Sequence, residues 1–297
     1  MIQLPGGVFR MGAGAIYTEE GPERSCDVAP FAIDRHPVTN RQFAAFVKAT
    51  GYVTVAERPL DPAAYPGVDV SRLKPGAMVF GAKGGARAAH WSDWWSYAPG
   101  AFWLKPEGRG SVYRGRLDHP VVCVAYEDAA AYAHWAGKDL PSEAEFEYAA
   151  RGGLDGATYA WGEERHPGGR YMANTWTGDF PSRNLALHGH SGTSPVGAFP
   201  ANGYGLHDMI GNVWEWTSDF YRSGPTARSC CGMDAAAKSF DPDLPEVKIP
   251  RRVVKGGSHL CHESYCDRYR PAARQPQMID TATTHIGFRC VVRGRPA

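Results

Sequence analysis

A chain of 297 residues with 43% hydrophobic and 21% charged side chains can bury a core, which excludes a wholly disordered chain and a disulfide-stapled miniprotein. Its 32 Lys and Arg balance 31 Asp and Glu without long runs of either sign, so no electrostatic footprint for nucleic acid exists and none is expected as a partner. The 35 Gly and 23 Pro are far above the roughly 12% that the pair occupies on average, which predicts a loop-rich single domain over 1–297 rather than long helices or regular sheets.

In chain order, Met1 to Gly7 lacks a basic region and an apolar stretch of signal-peptide length, and no later window reaches a membrane span. A cytoplasmic protein with no membrane partner is expected. Thr39-Asn40-Arg41-Gln42, then Phe43, Phe46, Val47 and Gly51, predicts a capped helix with one apolar stripe. From Tyr52 to Gly115 periodicity fades among scattered Pro, Gly and Trp91, Trp94, Trp95 and Trp103, and irregular chain pinned by core-filling aromatics is expected. A second helix fits Glu127–Ala136, stopped by Gly137, and a third follows the capping box of Ser142 and Glu145 up to Gly152. On that third helix Glu143, Glu145 and Glu147 are expected to form a solvated face. Beyond it, short runs at Arg252–Lys255 and Phe288–Val292 read as strands.

The chemistry-bearing residues cluster late. In Gly256-Gly257-Ser258-His259-Leu260-Cys261-His262-Glu263-Ser264-Tyr265-Cys266, the thiols stand five residues apart, about 140° around a helix, so they converge only if the chain bends. Converging thiolates suit Cu(I), a zinc site completed by His, or a disulfide, and two ordinary core cysteines are an equal alternative. Arg268, Arg270 and Arg274 nearby would favour thiolate. Asp208 and Glu215 flank glycine-containing irregular chain of the kind that offers carboxylates and carbonyls to Ca²⁺, or that forms a plain buried turn. His188-Gly189-His190 without a third ligand reads as a polar loop, and the vicinal Cys230-Cys231 as free thiols. Seven cysteines cannot all pair internally, and reduced thiols suit the cytosol. No nucleophile elbow, Walker A loop or dinucleotide fingerprint is present.

Several stretches together resemble the formylglycine-generating enzyme, or sulfatase-modifying factor, family. They are Phe9-Arg10-Met11-Gly12, Ile33 through Asn40, Trp135 through Gly153, Asn202 through Leu206, Gly211 through Trp216, Gly256 through Arg274, and Gly287 through Cys290. The resemblance spans essentially the whole chain. It implies an α+β fold of C-type-lectin-like variant with little regular secondary structure. It also implies a copper-dependent oxidase that uses O₂ and a thiol reductant to convert the cysteine of a C-x-P-x-R motif, in a peptide or unfolded sulfatase polypeptide, into Cα-formylglycine. By carry-over, Cys261 and Cys266 bind Cu(I), Cys266 can form a mixed disulfide with substrate, Ser258 lines the oxygen pocket, and Trp214 and Tyr265 shape it. A calcium site maps onto Asp208, the carbonyls of Gly211 and Val213, and Glu215. A second maps onto Asn174, Thr175, His188 and His190, where histidine replaces the family's aspartate and imidazole is a poor Ca²⁺ ligand. A monomer is expected.

Other readings keep the fold and change the role. A C-type-lectin-like module that only binds a partner would have no reason to hold Ser258, Cys261 and Cys266 together. An iron-dependent sulfoxide synthase needs a further histidine-rich helical domain, and a structural zinc at the two cysteines and neighbouring histidines would be separated by metal analysis.

Overall fold

The computed structural model describes residues 1–81, 90, 93–222 and 232–294. Trp91 and the Cys230-Cys231 pair lie outside the described residues. The strands are β1 (Ile2–Leu4), β2 (Gly7–Met11), β3 (Arg24–Val28), β4 (Phe31–Ile33), β5 (Gly76–Phe80), β6 (Trp95–Pro99), β7 (Gly178–Asp179), β8 (Arg183–Asn184), β9 (Trp214–Phe220), β10 (Arg251–Lys255), β11 (Arg274–Met278), β12 (Ile286–Gly287) and β13 (Val291–Arg293). The helices are α1 (Asn40–Thr50), α2 (Tyr126–Trp135), α3 (Glu143–Arg151) and the short α4 (Gly232–Ala237). This is the mixed α+β architecture that the family resemblance implies, poor in regular structure as the glycine and proline content predicts.

Two sheets organise the core. One has the order β1-β4-β13, and the other β11-β10-β9-β12 with only β12 parallel to its neighbour. The expected strand over 288–292 is split between them, because Ile286 pairs with Trp214 in one sheet and Val291 with Ile33 in the other. Phe288–Cys290 cross the gap, fully buried.

The capping chemistry works as the sequence predicts. Thr39 Oγ1 accepts from the Gln42 N–H while Gln42 reaches back to Thr39, and Gly51 ends α1 in the left-handed region at φ 67°. The same exchange joins Ser142 and Glu145 at α3, closed by Gly152 at φ 59°. Helix α1 buries Phe43 and Phe46 against Tyr132, Trp103 and Phe288. Each ring contributes roughly 1.5–3 kcal/mol through the apolar area it removes from water.

Two expectations are overturned. The 52–115 stretch contains an antiparallel hairpin, β5 with β6, which non-local pairing imposes although the sequence shows no alternation. Glu143, Glu145 and Glu147 are not a solvated face. All three are buried because α3 packs between β2 and β3 on one side and β9 and β10 on the other. Each carboxylate meets a cation: Glu143 pairs with Arg274, Glu145 with Arg293, and Glu147 with both Lys255 and Arg151. Such pairing is what makes burial of the charge tolerable.

Candidate active site

Strand β10 delivers the chain to Gly256 and Gly257, which adopt φ 93° and 74° and bend it toward the sulfur-bearing segment. A Cβ on Gly256 would stand 2.8 Å from the Met209 carbonyl oxygen, and one on Gly257 2.7 Å from that of Arg268, so only glycine permits the approach. After the bend, the Cys261 N–H donates to the Ser258 carbonyl and the Cys266 N–H to the His262 carbonyl. These two turns bring Cys261 Sγ and Cys266 Sγ to 3.4 Å. The convergence that the sequence made conditional on a bend is present.

Both thiols are buried, Cys261 at 1% exposure and Cys266 at 8%, and neither is in a disulfide. Their electrostatics differ. The hydrogen bond from Cys261, aided by Arg268 with its Nη1 at 3.8 Å from the sulfur, draws Cys266 down to about 7. Burial, and the same bond seen from the donor's side, push Cys261 up. The pair therefore favours the proton on Cys261 and thiolate character on Cys266. Of the three arginines expected to favour thiolate, only Arg268 does so. Arg270 is locked on Glu20 and Arg274 on Glu143.

Ser258 is fully buried, with its N–H donating to Cys261 Sγ at 3.4 Å and its Oγ accepting from the Leu260 N–H. Trp214 belongs to the buried core cluster that includes both cysteines. Tyr265 is 48% exposed; its ring stacks on Phe180 at 4.7 Å and takes the edge of Trp94 at 4.6 Å. Trp94 and Trp103 are core-filling as expected, whereas Trp95 is only half-buried, beside Phe80 and His285, and Trp94 also props the exposed Tyr265 beside the cysteines. A cleft of about 510 Å³ reaches the sulfur-bearing loop at His259 and Leu260, with Phe80 and Trp176 also in its lining; neither cysteine lines it.

The sequence reading missed the support for this loop. Tyr17 Oη accepts from the Asp267 N–H, its ring lies under the Arg268 guanidinium at 3.9 Å, and Glu19 pairs with Arg268. Glu20 takes Arg270 through both carboxylate oxygens. The only trace in the sequence is the acidic pair Glu19-Glu20; Glu20 caps its own turn by accepting from the Ile16 and Tyr17 N–H groups, and nothing local announces the two arginines.

The two clusters matched to calcium differ in chemistry. Asp208 and Glu215 are both buried, and burial raises both carboxyls. Glu215 receives Arg289 at 2.7 and 2.8 Å, while Asp208 accepts from the Gly197 N–H and from Asn212 Nδ2. Two buried carboxylates sharing one guanidinium leave negative charge over, and this donor set fits a hard cation. At the other cluster no carboxylate is present. Asn174 Nδ2 donates to Gly192 and Ser194, and the Thr175 carbonyl accepts from His188 Nε2 at 2.6 Å. His190 is a ring neighbour of His188 and Phe199. The residues Asn174, Thr175, His188 and His190 do not fit calcium.

Comparison with known proteins gives the family. The model for the sulfatase-modifying factor enzyme 1-like domain matches residues 1–294. A Mycobacterium tuberculosis protein named formylglycine-generating enzyme is 58% identical over 98% of this chain and 97% of its own length. A mouse protein named inactive C-alpha-formylglycine-generating enzyme 2 is 39% identical over 100% of this chain and 87% of its own. Among solved structures, PvdO from Pseudomonas aeruginosa superposes with a TM-score of 0.63 at 25% identity, covering 97% of this chain and 92% of that one. With the family model spanning nearly every residue and a relative this similar over both full lengths, the chain belongs to the sulfatase-modifying factor enzyme 1-like family.

Proposed function

We propose that this protein is a formylglycine-generating enzyme, which converts the cysteine of a C-x-P-x-R motif in an unfolded sulfatase into Cα-formylglycine. The observation that carries the reading is the 3.4 Å approach of the Cys261 and Cys266 sulfurs in a chain whose similar relatives bear that name. Two soft sulfurs, one of them thiolate near pH 7, are a donor set that fits Cu(I). Copper(I) held by Cys261 and Cys266 would supply the one-electron chemistry by which O₂ reacts with a thiol.

The chain's own residues set the conditions for that chemistry. Arg268 holds negative charge at Cys266, and the Ser258 N–H fixes Cys261 from the other side. Burial of both sulfurs keeps bulk water from the reacting centre. Tyr265, propped by Phe180 and Trp94, presents an aromatic wall to an incoming peptide. In net terms, a substrate thiol, O₂, two protons and two electrons from a thiol reductant yield the aldehyde, hydrogen sulfide and water. The aldehyde carbon gains one oxygen atom as its C–S bond breaks. Ca²⁺ at Asp208, Gly211, Val213 and Glu215 would neutralise the surplus carboxylate charge beneath the loop. The setting proposed is a cytoplasmic monomer.

Mass spectrometry of a C-x-P-x-R peptide incubated with the protein, Cu(I), O₂ and a thiol tests the reading. Thiol-to-aldehyde conversion that disappears without copper and in Cys266→Ala is the expected result. A folded, copper-loaded protein that converts nothing would instead support the partner-binding module, a role compatible with the same fold since one relative carries the name inactive.

A further inference from the structure

The Thr175 segment touches the cysteine loop directly. Its neighbour Trp176 donates its backbone N–H to the Cys261 carbonyl at 3.0 Å, and the Asn174 carbonyl accepts from the Asn212 N–H at 2.8 Å. The segment is thus a brace for Cys261, and whatever fixes the Thr175 carbonyl fixes the brace. A carbonyl oxygen can only accept, so the His188 nitrogen 2.6 Å away must carry the hydrogen. The ring has little freedom to leave, since Tyr171 and Phe199 meet it edge-on at 5.5 and 5.4 Å.

We infer that the His188 imidazole occupies the role of a divalent cation at this position, holding the Thr175 carbonyl by a hydrogen bond so that the Cys261 brace is independent of calcium. Calcium wants six to eight oxygens, usually with carboxylates among them. Here Asn174 Oδ1 is a buried oxygen with no partner, and His188 Nδ1 is likewise unpartnered. With Nε2 carrying the hydrogen, both are acceptors on uncharged groups, which water can satisfy by donating but which give a dication no compensating charge. Among the described residues no group of three His, Cys, Asp or Glu gathers here or elsewhere to hold a metal.

Equilibrium dialysis with Ca²⁺ and hydrogen exchange at residues 174–177 test the inference without using turnover, so it stands or falls apart from the oxidase reading. Wild type and Asn174→Ala are expected to bind the same number of calcium ions, and His188→Asp one more per chain. In EDTA the Trp176 amide of wild type is expected to stay protected, whereas in His188→Ala it exchanges about tenfold faster or more. Loss of one calcium equivalent in Asn174→Ala, or no gain in a folded His188→Asp, overturns the inference. Unchanged exchange in His188→Ala does so as well.

Discussion

Four buried cysteines among the described residues divide into two pairs of opposite character. Cys123 and Cys290 are fully buried, and burial above all pushes their thiols far up, so each behaves as a small apolar side chain. Cys261 and Cys266 are nearly as buried, yet Cys266 is drawn down to about 7 by the hydrogen bond from its partner and by Arg268. Burial therefore does not make a thiol inert or reactive. The difference lies in whether a donor and a cation stand beside the sulfur, and in this chain a glycine-made bend puts them there.

Substitutions can break this contrast, the largest effect first. Cys266→Ala is expected to lower turnover of a C-x-P-x-R peptide by on the order of 10³, whereas Cys290→Ala leaves turnover within a few-fold and costs roughly 1 kcal/mol in a denaturant melt. Arg268→Met removes the cation. The Cys266 thiol should rise while the hydrogen bond from Cys261 still holds it down, and its alkylation at pH 7.5 should slow by a few-fold as the thiolate fraction falls. Cys123 and Cys290 should stay unlabelled in the folded protein of either form, and mapping the labelled peptides checks both statements.

Stability against pH sharpens the comparison. The folded Cys266 titrates near 7 against an ordinary thiol at 9.0, so between those values the unfolded chain holds a proton that the folded pair has released. The contribution is fully present above pH 9, and it is lost as pH falls through 7. Wild type minus Cys266→Ser is expected to show this rise in unfolding free energy between pH 7 and 9, and a flat difference would contradict the thiolate assignment. The smallest effect is expected for Tyr17→Phe, which removes only the acceptor of the Asp267 N–H. It should cost about 1 kcal/mol, read as faster exchange at that amide.

How much of this was legible depends on the range of the forces involved. The capping boxes at Thr39 and Ser142, with Gly51 and Gly152 closing their helices, are local hydrogen-bond chemistry, and the sequence displays them in full. The β10 strand and the need for a bend before Cys261 were equally readable, since the β-branched Val253-Val254 followed after Lys255 by paired glycines has few other uses. The burial of Glu143, Glu145 and Glu147 was not. Their partners Arg274, Arg293 and Lys255 lie more than a hundred residues away, and the one local partner, Arg151 beside Glu147, would pair equally well on a solvated face. The β5–β6 hairpin escaped for a related reason, because Gly76 packs so tightly against Ala98 that the closest pairing depends on a missing side chain. Resemblance to the family supplied what local pattern could not, namely that Ser258, Cys261 and Cys266 belong together.

The ties from Glu19 to Arg268 and from Glu20 to Arg270 span 249 and 250 residues. During synthesis the acidic half of this clamp emerges about 250 residues before its basic half. The turns that bring the two sulfurs together are local, but the arginine that charges one of them is set in place only when the Glu19 and Arg268 segments have met. Competence of the site is consequently a late event in the life of the molecule, coupled to completion of the fold rather than to the making of the loop that bears the cysteines.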